Sequence, residues 1–130
     1  MVIILKINSD ALLIPFGGTA YGLVEVLYRG HTHWTMLLLG GVCFWLMAQV
    51  GSLLAEIPSW LCAAPCALLI TALEFLTGCV VNLGLGWNVW DYSAQPLNLW
   101  GQVCFGFLGL WYLLALATLP LAKAMKERLQ

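Results

Sequence analysis

Residues 60–83 read WLCAAPCALLITALEFLTGCVVNL, and this stretch decides the fold. It carries a single charged side chain, Glu74, and no base. As a helix rising 1.5 Å per residue it measures about 36 Å, enough to cross the roughly 30 Å hydrocarbon core of a bilayer. Barrel strands in a membrane are about ten residues long and alternate with period two, and this run does neither. A helix satisfies all of its own backbone hydrogen bonds in lipid, so helix is the expected state.

Working outward, residues 11–28, 34–54 and 100–119 form three more runs of the same kind. The expected architecture is all-α: an integral membrane bundle of four transmembrane helices, with residues 1–130 as one transmembrane domain. Composition agrees, since 62% of the 130 residues are hydrophobic and 8% are charged, against about 25% charged in a soluble domain. The formal net charge is −1 and the basic residues are scattered, which leaves no face to neutralise a row of phosphates; nucleic acid is not an expected partner. The lipid bilayer is.

Lys6, Lys123, Lys126 and Arg128 lie near the two ends of the chain, and only Arg29 lies in a loop on the opposite side. Four spans place both ends on one side, and the positive-inside rule makes that side the cytoplasm of a cell inner membrane. Lys6, Asn8, Ser9 and Asp10 precede the first run without the pattern of a cleavable signal peptide, so the first helix is expected to be retained. Trp34, Trp60, Trp87, Trp90 and Trp100 fall at span ends, where amphipathic rings anchor helices at the headgroups. Cys43, Cys62, Cys66, Cys79 and Cys104 all fall within or beside apolar runs, where free thiols pack as small apolar groups. Residues 123–130 read as a short amphipathic or frayed tail.

The residues that can carry chemistry are those whose charge is out of place. A charge near the bilayer centre costs at least about 2.5–3.5 kcal/mol, so Glu74 is expected to be either protonated or paired, and a structural hydrogen bond to Thr71, Gln49 or a tryptophan indole is the alternative to a functional role. Glu25 and Arg29 are spaced i, i+4 with the acid nearer the N-terminus, the favourable order for a same-face pair. Gly18 and Gly22 extend that face as a small-xxx-small stripe, which lets another helix approach and turns Glu25 and Arg29 inward. His31 and His33 lie beside them and share the external side with Asp91. An H-x-H in a loop lacks the fixed geometry of a helical metal motif, however, and no metal is expected.

The longest connection, residues 84–99, holds Trp87, Trp90, Asp91, Tyr92 and Asn98 and leads to Trp100 and Gln102. Aromatic and amide residues at this density suggest a structured lid or re-entrant turn between the third and fourth helices, over a polar pocket. The candidate substrate- or ion-binding residues are therefore Glu25, Arg29, His31, His33, Glu74, Trp90, Asp91, Tyr92, Asn98 and Gln102. No phosphate loop, zinc-protease, nucleophile-elbow or dinucleotide motif is present, so no catalytic residue and no cofactor is assigned.

The strings Tyr28-Arg29-Gly30-His31-Thr32-His33-Trp34-Thr35-Met36, Leu73-Glu74-Phe75, Val89-Trp90-Asp91-Tyr92-Ser93, Pro96-Leu97-Asn98-Leu99 and Gly101-Gln102-Val103-Cys104 resemble a family of small bacterial multi-pass membrane proteins, the ABC-transporter type IV or ABC-transporter permease family. The resemblance runs from about Gly18 to Pro120. It implies a bacterial inner-membrane protein with a transport role, permease-like in character, for which an ATPase subunit is the partner to look for. Three readings follow. A transport component would work as a homo-oligomer, joined through glycine faces such as Gly18 with Gly22 or Gly106 with Gly109. A membrane-embedded enzyme would use Glu74, Asp91, His31 or His33 on a lipid-like substrate. A structural or assembly subunit would use its polar residues only to hold helices together.

Overall fold

The structure, a computed structural model, describes residues 11–129; the expectations for Lys6, Asn8, Ser9 and Asp10 lie outside the described residues. The chain is mostly helical, with α1 (Leu13–Arg29), α2 (Trp34–Leu53), α3 (Ser59–Gly78) and α4 (Phe105–Leu129). A π-helical turn, Cys79–Gly84, prolongs α3, and two short antiparallel strands, β1 (Asn98–Leu99) and β2 (Val103–Cys104), precede α4. The helices at Trp34–Leu53, Ser59–Gly84 and Phe105–Arg128 are long and apolar enough to cross a membrane. The first helix, at 17 residues, is shorter, about 25 Å at 1.5 Å per residue.

The helix ends follow local chemistry. Gly30 closes α1 in the left-handed region at φ 83°, where its N–H donates to the Val26 carbonyl at 2.8 Å, an arrangement a side chain resists. His33 caps α2 by accepting the Thr35 N–H on Nδ1. Two expectations for the last helix are corrected. It begins at Phe105, not Trp100, because Trp100 and Gly101 sit at φ 56° and 72° and close a hairpin turn. It also runs past the expected end at Leu119 as far as Leu129, so residues 123–129 are part of the helix.

Packing pairs α1 with α2 and α3 with α4, while α2 also lies against α3 and α4. The core consists of Leu13, Cys43, Phe44, Met47, Ala48, Cys62, Ala63, Cys66, Ile70, Ala115, Leu119 and Ala122. Four of the five cysteines are buried and all five are free thiols, matching their reading as small packing residues. Gly18 of α1 lies directly against the α2 backbone: a Cβ there would stand 2.5 Å from the Leu37 carbonyl oxygen. Gly41 returns the approach from α2, where a Cβ would collide with the Ile14 carbonyl. The small-residue stripe thus joins two helices of the same chain, and Gly18 and Gly22 are covered by Leu37.

Candidate functional site

The close approach of α1 to α2 sets the depth of one face of α1, on which Tyr21, Glu25 and Arg29 follow at intervals of one turn. Glu25 is 5% exposed. Its Oε2 accepts the Tyr21 hydroxyl at 2.8 Å, while its Oε1 is buried with no hydrogen-bond partner among the described residues. Arg29 donates through Nη2 to the Val89 carbonyl at 3.2 Å, bridging the top of α1 to the loop after α3.

Glu74 of α3 is 2% exposed and is held entirely by neutral donors. Tyr92 O–H donates to Oε2 and the Trp111 indole N–H to Oε1, both at 3.2 Å. Of the partners expected for Glu74, the indole is the one found. Thr71 donates instead to the Ala67 carbonyl of its own helix, and Gln49 accepts from Lys126 Nζ at 2.9 Å. Trp111 meets the edge of the Tyr21 ring at a centroid distance of 6.3 Å, and Tyr92 stacks on Phe107 at 4.7 Å. These aromatic contacts gather both acids into one cluster, Glu25 through Tyr21 and Glu74 through Trp111.

The loop over this cluster is built. The π turn projects Asn82 so that its Oδ1 accepts the N–H groups of Val89, at 2.6 Å, and Trp90, at 3.4 Å, while its Nδ2 donates to Gln102 Oε1 at 2.8 Å. Trp90 is 5% exposed and its indole donates to the Gln102 carbonyl at 3.0 Å. Its ring is therefore locked in the interior, unlike Trp34, Trp60, Trp87 and Trp100, which are all exposed as anchors are. Asn98 ties down the turn, donating to the Gln95 carbonyl and accepting the Gly101 N–H, each at 2.9 Å. Trp90, Asn98 and Gln102 thus direct their polar groups into the loop itself.

Asp91 faces outward, where Oδ1 accepts the Ser93 N–H at 2.8 Å; that backbone hydrogen bond holds its carboxyl below the usual carboxylate range. His31 is exposed, and His33 packs beside Trp34 and Trp87 at centroid distances of 5.7 and 5.9 Å. Among the described residues no group of three or more His, Cys, Asp or Glu side chains is placed to hold a metal. The structure thus brings Glu25, Glu74 and Tyr92 together, sets Arg29 above them, and leaves His31, His33 and Asp91 at the rim. Tyr21, Asn82 and Trp111 complete the arrangement without having been singled out as site residues from the sequence. Tyr21 was detectable one turn before Glu25, and Trp111 as a tryptophan far from either end of its span.

No curated protein and no solved structure matches the chain. A family model described as Putative ABC-transporter type IV matches residues 17–129, which takes in α1 from its second turn, the whole loop and α4. The apolar helices and this match together make the chain an ABC-transporter-related membrane protein, and it belongs to the Putative ABC-transporter type IV family.

Proposed function

We propose that the protein is a permease-like transport component of the bacterial inner membrane, acting through the Glu25–Glu74 cluster beneath the aromatic loop. The observation that carries this reading is the pair of buried acids: Glu25 and Glu74 are 5% and 2% exposed and take hydrogen bonds from Tyr21, Tyr92 and Trp111. Acids at membrane depth are expensive and mark paths for substrates or ions. In this reading residues 1–130 form a single transmembrane domain. The α1 helix is the fourth span, both termini face the cytoplasm, and the loop with its hairpin closes the external side. Four helices enclose little space, so the protein works as a homo-oligomer or with a partner subunit.

The test joins composition to flux. Native mass spectrometry of the protein purified in mild detergent is expected to show a homo-oligomer or a complex with an ATPase subunit. Cells expressing the protein are expected to take up or extrude at least one member of a panel of labelled small metabolites, and to lose that flux with Glu74→Gln at equal expression. A monomer that moves none of the panel, or a Glu74→Gln protein with undiminished flux, overturns the proposal.

A further inference from the structure

Among the described residues the interior cluster brings together two carboxylates, and the charged base nearest to it is Arg29, whose charge reaches Tyr21. Arg29, the nearest cation along α1, gives its hydrogen bond to the Val89 carbonyl. At the far end of the bundle, Lys126 lies against Gln49 and the stem of Lys123 lies over Gly51. The groups that face the acids are the hydroxyls of Tyr21 on α1 and Tyr92 in the loop, the Trp111 indole on α4, and the thiol of Cys43 on α2. The two hydroxyls and the indole donate as neutral groups, which satisfies lone pairs without cancelling charge.

Three of the four carboxylate oxygens are occupied: Glu25 Oε2 by Tyr21, Glu74 Oε2 by Tyr92 and Glu74 Oε1 by Trp111. The fourth, Glu25 Oε1, is buried and has no hydrogen-bond partner among the described residues. Glu25 lies on the face of α1 between Tyr21, whose ring touches Trp111, and Arg29, which reaches Val89. Tyr21 and Trp111 link its carboxylate to that of Glu74. A buried acceptor that lacks a donor, in a cluster that holds a second acid, calls for a positive ligand.

We propose that the Glu25–Glu74 cluster binds one small exchangeable monovalent cation, a proton or sodium, against Glu25 Oε1. Binding brings the pair from two negative charges to one, and no covalent step is involved. The inference rests on this cluster being the functional site, and not on transport.

The experiment therefore uses binding alone, on the full chain in detergent. Unfolding temperature is followed as sodium chloride replaces choline chloride at constant ionic strength, because a ligand of the native state raises it with concentration. Infrared difference spectra across a pH series follow the carbonyl band of protonated carboxyl groups. A saturable sodium effect that Glu25→Gln weakens by tenfold or more assigns sodium. A titrating carboxyl band that Glu25→Gln removes or shifts by a pH unit or more, without a sodium effect, assigns the proton. Tyr21→Phe keeps both acids and frees Glu25 Oε2; it is expected to shift the midpoint severalfold, and it serves in place of Glu25→Gln if that protein does not fold. Absence of both signals, or signals identical in wild type and variants, overturns the proposal. Binding that persists in a protein moving no solute would overturn the transport reading and leave the cation site standing.

Discussion

Glu74 illustrates what a single side chain does in this protein. Its carboxylate is an acceptor for two donors from two other elements, so removing it strands the Tyr92 hydroxyl and the Trp111 indole. An unsatisfied buried donor costs about 1–3 kcal/mol, whereas a hydrogen bond between membrane helices contributes on average only about 0.6 kcal/mol. Glu74→Ala is therefore expected to lower stability in detergent by about 2 kcal/mol or more, and Tyr92→Phe by under about 1 kcal/mol, measured by unfolding in a denaturing detergent. Equal losses would mean that the donors find other partners. Glu74 was legible in the sequence because it is the one charge among the 24 residues of 60–83. An indole was among its expected partners, but which tryptophan, and Tyr92 beside it, was not legible, because Tyr92 and Trp111 lie 18 and 37 residues away and nothing local encodes that meeting. Asp91 behaves differently because it faces solvent. The Ser93 amide favours its charged form, so its folded pKa lies below the unfolded value of about 3.9. Its contribution is thus present above that value and lost as pH falls through the lower folded pKa. Asp91→Asn is expected to lower stability slightly at neutral pH and to flatten the acid limb of the stability curve; an unchanged acid limb would exclude this role.

Among the elements, the α1–α2 pair depends on the absence of side chains. Gly18→Ala brings the helix propensity of alanine, roughly 1 kcal/mol, but sets a methyl group 2.5 Å from a backbone oxygen that cannot rotate away. Overpacking costs about 1–3 kcal/mol, so net destabilisation is expected. Gly109 on α4 has nothing within 4 Å of the corresponding position, so Gly109→Ala is expected to stabilise a lone subunit by up to about 1 kcal/mol. Thermal unfolding of both variants checks the opposed signs, and a destabilising Gly109→Ala would show that another surface covers that face. The stripe of Gly18 and Gly22 was readable as a contact surface, but spacing alone could not say whether the partner helix belonged to the same chain. The hairpin before α4 escaped sequence reading for a related reason. Its two central turn residues, Trp100 and Gly101, both take positive φ, the geometry of a type I′ turn. Asn-Gly or Asp-Gly announces such turns, and Trp-Gly does not, so the apolar pattern was continued through it as helix.

At the scale of the whole molecule, hydropathy alone carried most of the architecture, since runs of apolar residues long enough to span a bilayer allow few folds. It also located the loop that bears Tyr92, though not the knot of Asn82, Trp90 and Gln102 that gives the loop its shape. Orientation is a separate matter, decided by where the few charges lie. The last helix ends with Lys123, Lys126 and Arg128, whereas Arg29 lies at the loop end of α1, beside Val89. Three positive charges close to one end of a span outweigh one at the other, so the C-terminus should face the cytoplasm and the hairpin the periplasm. Gln95 and Glu127 are exposed at these two levels, and either can be replaced by cysteine without disturbing a core contact. In intact cells a membrane-impermeant maleimide is expected to label Gln95→Cys, and to label Glu127→Cys only after the inner membrane is opened. Labelling in the reverse order would invert the bundle. Because Tyr92 ties Glu74 to the loop that leads into the hairpin, inversion would also turn that side of the Glu25–Glu74 cluster toward the cytoplasm.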